Sequence, residues 1–360
     1  MPGAYHPDLL LLASALTGRP VHIRRKSRQG AGRLLQAARD HGVAPLLSLR
    51  SHAGTLHGLS EEDRKTLSAD ARANAVSDLM LNAATRRTLD LLAAADIPVL
   101  LLKGTPIAFL YYGDTYLRVR CDTDLFIRAA DTQATADLLA SEGYRISGLG
   151  QRPYASKQFG ATLSTNAGCG TFDIHWKLSN RISFHHVLRF DECWESRRPL
   201  PDLGSNAYTL SPLHLLIHAC LHRIAHGGDL RNRLLWLHDI HLIASAFSAE
   251  ELEQLQQLVL EKKVGTLCQD ALAMCQYYFR TRYPTGYLTA LSKNRRREPT
   301  SRLLQASKPK WALADLRRLK TPKAKLAFAG ELLFPPHLAA EPGVLPWLRA
   351  WTAHVRSRMK

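Results

Sequence analysis

The sequence predicts an α+β fold, with a small mixed sheet flanked by helices between an N-terminal helical region and a C-terminal helical domain. Residues 6–95 and the chain from residue 211 onward carry apolar side chains at helical spacing. Between them lie an apolar run of strand length at 99–102, a second predicted strand at 124–128, and the run 171–176, which alternates strictly between polar and apolar residues. The expected boundaries of the three regions are residues 1–95, 96–205 and 206–360.

The N-terminal region is predicted to form three helices, at residues 6–19, 33–42 and 60–95. Gly42 follows an apolar helical pattern and can end the second helix. Ser60, with Asp63 three residues later, resembles a capping box that opens the long third helix. These helices are expected to pack on the domain that follows.

The central region begins with a strand at 99–102, which is wholly apolar and therefore buried on both faces. A short helix over 105–112 precedes the strand at 124–128. Asp131 is well placed as the N-cap of the next helix and Gly143 as its stop. Further strand pieces are predicted at 144–146, 154–159 and 161–164, with a turn at 166–170.

The C-terminal region is predicted to be helical at 213–225, 230–246, 248–263 and 267–280. Ser248 and Glu251 form a second capping box. Residues 292–325 are basic and interrupted by prolines, which makes them the best candidate for a mobile segment. The chain closes with a sequence that has the pattern of an amphipathic helix.

The composition favours an anionic partner without identifying one. The chain has 48 Lys and Arg against 31 Asp and Glu, a net charge of +17. This charge is taken to be spread along the chain, so a general solubility bias explains it equally well. The six cysteines lack C-x-x-C spacing, and no apolar run approaches the roughly 18 residues of a membrane span. We therefore expect a soluble cytoplasmic protein with reduced thiols and no membrane span.

Three carboxylates have the spacing of a metal site. Asp122 and Asp124 are two residues apart on a predicted strand, so they point to the same side and repel each other unless a cation neutralises them. Asp173 stands on another strand that is otherwise buried, and it shares a face with His175. Two carboxylates on one strand and one on another suit two-metal nucleotidyl transfer. Magnesium is the expected ion because it prefers oxygen ligands and substrate phosphates.

Basic residues near these carboxylates are candidates for phosphate binding. Lys103, Gly104 and Thr105 form a turn into a helix, whose free backbone N–H groups can hold a phosphate. A plain strand-to-helix turn is the alternative. Arg118 and Arg120 lie just before the carboxylates, where they either bind a triphosphate or pair with the aspartates.

Several stretches together resemble the polymerase-β-type nucleotidyltransferase superfamily and, more closely, a bacterial family of uncharacterised nucleotidyltransferases. They are LLKGTPIAFLYYGDTYLRVRCDTDLFI, SEGY, FDIHWKL, the upstream AARDHGVAPLL, the downstream LSPLHLLIHACLHRIAHGGDLRNRLLWLHDI and the late LLFPP. The resemblance covers most of the chain from about Arg33. It implies a polymerase-β-type core in which Asp122 and Asp124 bind magnesium, or manganese in its place. It further implies that Asp173 deprotonates the acceptor or completes the second metal site.

The sequence departs from the superfamily at two points. The usual Gly-Gly or Gly-Ser turn is replaced by Lys103, Gly104 and Thr105, and the gap from Gly104 to Asp122 is longer than in minimal members. Both departures agree with the closer family. They therefore bear on substrate and rate more than on fold.

The helical half supplies candidates for the acceptor side of the site. Histidines recur every four residues along one predicted helix, at His214, His218, His222 and His226. Zinc binding is one interpretation, but no glutamate or cysteine stands at ligand spacing, so we expect His218 and His222 to face the cleft. Arg233 and Asp239 are expected to form an ion pair, or Arg233 and Trp236 to line the pocket. The predicted acceptor-side or supporting set is His175, His218, His222, Arg233, Trp236 and Asp239.

The predicted function is metal-dependent transfer of a nucleoside monophosphate from a nucleoside triphosphate, with ATP as the expected donor and pyrophosphate released. The expected acceptor is a hydroxyl or phosphate group of a small molecule, peptide or protein. Two alternatives stay open. One is a toxin-like enzyme that modifies RNA or tRNA, and the other is an inactive adaptor that binds nucleotide or peptide with the same fold.

Overall fold

The computed structural model describes residues 7–23, 28–150, 158–165, 168–179, 181–226, 232–304 and 306–334. The helices in these residues are α1 (Pro7–Leu16), α2 (Arg28–Asp40), α3 (Ala44–His52), α4 (Glu61–Ala94), α5 (Gly104–Tyr111), α6 (Thr132–Ser141), α7 (Phe190–Glu195), α8 (Pro212–His226), α9 (Leu234–Ser245), α10 (Ala249–Glu261), α11 (Gly265–Phe279), α12 (Tyr287–Leu291), α13 (Lys308–Arg318) and α14 (Pro322–Leu333). The strands are β1 (Val21–His22), β2 (Leu56–His57), β3 (Val99–Leu102), β4 (Thr123–Ile127), β5 (Arg145–Ser147), β6 (Gln158–Thr165), β7 (Gly168–His175), β8 (Arg198–Pro199) and β9 (Tyr208–Thr209).

The central sheet is mixed, as predicted, and has seven strands in the order β5-β6-β7-β4-β3-β9-β8. Strand β4 lies in the middle, antiparallel to β3 and parallel to β7. Strands β3 and β4 are buried along their whole length, which explains why their sequences are almost entirely apolar. The two-stranded sheet of β1 and β2 is separate and parallel.

The two faces of the sheet belong to different hydrophobic clusters. Leu100, Leu102 and Phe126 face the larger cluster, which also takes residues from α1–α3 and from α8–α11. Leu101 and Leu125, one residue out of phase, face a second cluster with residues of α4 and α6. Because side chains alternate along a strand, the positions in phase with Phe126 lie toward α8 and α9. The division at residues 95 and 205 stays a prediction.

Local capping signals account for where several helices begin. At α4 the Asp63 amide donates to Ser60 Oγ at 3.0 Å and the Ser60 amide donates to Asp63 Oδ2 at 2.9 Å, so this predicted capping box is confirmed. The box of Ser248 and Glu251 at α10 is confirmed in the same way. Asp131 occupies the N-cap position of α6, but its carboxylate accepts no hydrogen bond from the helix amides.

The basic residues 292–325 differ from the expectation of a mobile segment. The described part of this range contains two short 3₁₀ helices, all of α13 and the start of α14. Trp311 is buried there against Phe184, with their rings 5.5 Å apart and nearly perpendicular. The predictions for 154–157, for the tip of the 166–170 turn and for the closing amphipathic helix lie outside the described residues.

None of the helices in the described ranges is both long enough and apolar enough to span a membrane.

Candidate active site

The three predicted carboxylates meet at the middle of the sheet. Asp124 and Asp173 are direct neighbours in the parallel pairing of β4 with β7. Asp122 precedes β4, two residues from Asp124, and both line the same cavity as Asp173. Parallel pairing thus brings together side chains that are 49 positions apart in the sequence, on the sheet face turned toward α8 and α9.

The turn before α5 places a lysine side chain beside these carboxylates. Lys103 has φ of 53° and ψ of −122°, a conformation that glycine adopts more readily than other residues. Its ammonium forms an ion pair with Asp124 Oδ1. Gly104 follows, and a Cβ at this position would collide with the Arg118 guanidinium. A side chain at residue 104 would therefore displace Arg118.

Two further side chains orient the carboxylates. His175 Nε2 lies 2.7 Å from Asp124 Oδ1, and since an ionised carboxylate only accepts, the imidazole donates. Gln158, on the neighbouring strand β6, donates to Asp173 Oδ2 at 2.6 Å. Sequence reasoning missed Gln158, although its place in a strand next to Asp173 was a usable signal.

The surroundings shift the pKa values of Asp122 and Asp124 in opposite directions. Burial alone would raise the pKa of Asp124, but the Lys103 ammonium and the hydrogen bond from His175 hold that pKa well below its usual range. Burial and then the nearby charge of Asp124 raise the pKa of Asp122 to about 6, against the opposing effect of Lys103. The site therefore has more carboxylate charge than its one lysine neutralises.

This donor set fits a divalent cation. One ligand atom each from Asp124, Asp173 and His175 lie within 4.8 Å of one another. Burial and then the charge of Asp124 raise the pKa of Asp122, and a bound cation would oppose the effect of that charge. His175, expected on the acceptor side, thus joins the compact set, while Asp122 stands beside it. Binding of a metal by Asp122 stays a prediction.

Arg118 is held by a carboxylate from the helical half. Its Nη2 donates to Asp239 Oδ2 at 2.7 Å, and both side chains are buried. The Tyr112 hydroxyl donates to the other oxygen of Asp239 at 2.8 Å. Arg118 still borders the cavity, so this ion pair fixes its position at the edge of the site.

The predicted ion pair between Arg233 and Asp239 is wrong for the described residues, because Asp239 is taken by Arg118. Residue 239 faces inward from α9 toward α5, whereas Arg233 is the N-cap residue of α9, with its guanidinium 5.6 Å from the centre of the Trp236 ring. Arg233 and Trp236 both line the cavity, which is the alternative placement that the sequence left open.

Arg120 is an internal residue rather than an open phosphate ligand. It forms an ion pair with Asp78 of α4 and donates to Asn82 Oδ1 at 2.7 Å. It also donates to Thr105 Oγ1 at 2.9 Å, and Thr105 is fully buried. Of the two outcomes foreseen for the arginine pair, Arg120 thus pairs with an aspartate, though one supplied by α4. Thr105 faces this network, and phosphate contact by its side chain stays a prediction.

Helix α8 closes the cavity with histidines. His218 is 1 % exposed, and its Nε2, at the site end, has no hydrogen-bond partner in the described residues. Burial and then the charge of Lys103 lower the pKa of His218 to about 3, so the ring is neutral. His222 packs edge-on against Trp236 at 4.8 Å. His214 lies further off beside Glu192, and the side chain of His226 is outside the described residues.

Most of the side chains described above border one cavity of about 480 Å³. It is bordered by every predicted site residue except Thr105, namely Lys103, Gly104, Arg118, Arg120, Asp122, Asp124, Asp173, His175, His218, His222, Arg233, Trp236 and Asp239. Cavities of this size hold a small-molecule ligand such as a nucleotide. Carboxylates and cations that border the same cavity suit a metal-bound phosphate chain.

Comparison with known proteins agrees with this geometry. No curated protein matches the chain. The profile of a family described as uncharacterised nucleotidyltransferase matches residues 27–280, a range that includes β3, β4, β7 and the helices around the cavity. The resemblance drawn from the sequence is therefore confirmed, and the chain belongs to the uncharacterised nucleotidyltransferase family.

Proposed function

We propose that this protein moves a nucleoside monophosphate from a nucleoside triphosphate, ATP first among them, to a hydroxyl or phosphate acceptor and releases pyrophosphate. The observation that carries the proposal is the parallel pairing of β4 with β7. It sets Asp124 beside Asp173 in the cavity that also holds Lys103 and Asp122.

Asp122, Asp124 and Asp173 are the proposed ligands for magnesium, with manganese as a substitute. A bound divalent cation would neutralise the triphosphate and the leaving pyrophosphate. His175 holds Asp124 in place through its 2.7 Å hydrogen bond. Gln158 does the same for Asp173, so the two carboxylates keep one geometry while substrate binds.

The remaining roles, phosphate binding and proton transfer, are proposed for other side chains of the cavity. Lys103 contacts a phosphate oxygen near the carboxylates, and Arg118, fixed by Asp239, lines the phosphate side. Asp173 accepts the proton of the acceptor group. The neutral His218, with Nε2 unpartnered, can accept a hydrogen bond from the same acceptor. Catalysis would then come mainly from positioning and charge neutralisation.

The test is incubation with labelled ATP, GTP, CTP and UTP in turn, with magnesium, against pools of small molecules, peptides and RNA. We expect label transfer with pyrophosphate release, strongest with ATP. Asp122→Asn and Asp124→Asn should abolish transfer and keep the fold, while Asp173→Asn should bind nucleotide but turn over poorly. Asp202→Asn, an exposed carboxylate outside the cavity, is the matched control and should keep full activity.

Two results would contradict the proposal. Full activity in Asp122→Asn or Asp124→Asn would contradict the proposal that these residues bind the metal ion. Binding of ATP without pyrophosphate release for any acceptor would mean that the protein is an adaptor that binds nucleotide.

A further inference from the structure

The basic charge of the chain is concentrated in one segment outside the catalytic cavity. Residues 293–325 carry twelve lysines and arginines against two acidic residues, a net of +10 out of the total of +17. This segment starts after residue 280, where the family match ends. The expectation that the charge is spread along the chain is therefore wrong.

Both acidic residues of the segment are used to anchor it. Asp315 of α13 accepts from the backbone amide of Ser183 at 2.9 Å and from the Ser183 hydroxyl at 2.8 Å. Glu298 accepts from the backbone amide of Thr266 at 2.9 Å. Both carboxylates are buried. The segment is thus fixed to the fold by its negative charges, and its positive charges are exposed wherever the structure describes their side chains.

These positive charges line a groove of about 590 Å³ between the 3₁₀ helices at Arg295–Arg297 and Ser301–Leu303 and helix α13. Its six cationic residues are all exposed, and none makes an ion pair within the described part of the chain: Arg296, Arg297, Arg302, Lys310, Arg317 and Arg318. Like charges that converge without counter-charge repel one another. Burial lowers the pKa of the nearby His186, and the charge of Arg318 from the groove, with those of Lys262 and Lys263 outside it, lowers that pKa further.

We propose that this groove docks the phosphate backbone of a nucleic acid. Five of its six cations are arginines, whose planar guanidinium groups suit phosphate oxygens. Three of the cations come from the 3₁₀ helices and three from α13, and all line one concave surface, which a convex backbone can enter while a flat bilayer would touch only its rim. Among the described residues no aromatic side chain lines the groove, which favours contact with phosphates over base stacking.

The docked nucleic acid would also be the acceptor that receives the nucleotide, and this part of the inference rests on the proposed function. Binding of nucleic acid to the groove does not depend on that function. The test therefore measures binding and transfer separately.

The experiment is fluorescence anisotropy of the full-length chain with a labelled single-stranded RNA and its DNA counterpart over a series of salt concentrations. Engagement of four to six phosphates predicts a log–log slope of affinity against salt of about −3 to −4. Arg317→Ala with Arg318→Ala should make that slope shallower by about 1.4 and weaken binding roughly tenfold at low salt. The change to lysine at both positions should keep most of the slope.

The matched control is Arg72→Ala with Arg282→Ala, which removes the same charge at exposed positions outside the groove. Equal losses in the two double variants would overturn the proposal, because net charge alone would explain binding. Salt-independent binding would also overturn it, as would capture by anionic lipid vesicles without binding of RNA or DNA. A tighter complex with RNA than with DNA would support an RNA backbone as the ligand.

The transfer-deficient Asp124→Asn variant separates the two proposals. It should bind RNA as tightly as the unchanged chain. If it does and no acceptor is ever labelled, only the proposed function fails. If nucleotide is transferred to another acceptor while neither nucleic acid binds, only the docking inference fails.

Discussion

Asp122→Asn should make the metal-free protein more stable and inactive at once. The Asp122 carboxyl has its pKa raised from 3.8 to about 6 by burial and by Asp124. Ionising such a group in the folded state costs about 3 kcal/mol, since each tenfold shift in proton affinity is worth about 1.4 kcal/mol. Asp122 is half-buried and partly screened by solvent, so about 2 kcal/mol is the expected net effect.

The sign of the pH dependence follows from the direction of this shift. The folded state binds the Asp122 proton more tightly than the unfolded chain does, so stability is full below pH 4 and falls as pH rises toward 6. Asparagine mimics the protonated carboxyl. The variant should therefore match the unchanged protein at pH 4 and exceed it at pH 7.

The assay is urea denaturation followed by circular dichroism at pH 4 and pH 7, with chelator present. Addition of magnesium at pH 7 should stabilise the unchanged protein more than the variant, because a cation relieves the same repulsion. Asp202→Asn serves as control and should shift neither curve. An Asp122→Asn protein that is equally stable at pH 7, or less stable, would refute the reasoning about charge at this site.

Two further predictions concern buried groups around the cavity. Asp239→Asn should destabilise the fold by about 3–5 kcal/mol in urea, because it leaves Arg118 buried without a counter-ion, and a loss below about 1 kcal/mol would contradict this. His218, with a pKa lowered to about 3, should stay neutral by NMR at pH 5. In the unfolded chain His218 becomes protonated below pH 6.5. Between pH 7 and pH 5 the free energy of unfolding of the unchanged protein should therefore fall by about 2 kcal/mol more than that of His218→Gln. Equal losses would show that His218 is solvated.

Local patterns in the sequence predict the elements that carry the site. The apolar run of β3, the alternation in β7 and the two capping boxes are confirmed, because each depends on neighbours within a few residues. The side of the sheet on which Asp122 and Asp124 lie follows from the same period of two.

Local sequence patterns could not predict the ion-pair partners that come from distant elements. Arg118 finds Asp239 across 121 positions and Arg120 finds Asp78 across 42, and local alternation carries no information about either pairing. The contact of Lys103 with Asp124 depends on a positive φ that only the folded turn reveals.

The basic segment shows a different limit. The sequence shows that residues 292–325 are basic, but only a count within this range shows that residues 293–325 carry +10 of the net charge of +17. That Glu298 and Asp315 point inward, and so leave the cations unopposed, required the packing of α13 and α11.

The parallel pairing of β4 with β7 also determines when the site can exist during folding. The antiparallel pairing of β3 with β4 brings Lys103 to Asp124 across a connection that contains α5, and the two residues are only 21 positions apart. Asp173 arrives only after the 49 positions that separate it from Asp124 have been closed into a loop, which costs about 3 kcal/mol of chain entropy. A chain interrupted before residue 168 would thus carry only two of the three carboxylates beside Lys103, and the appearance of nucleotide chemistry would report the pairing of β4 with β7.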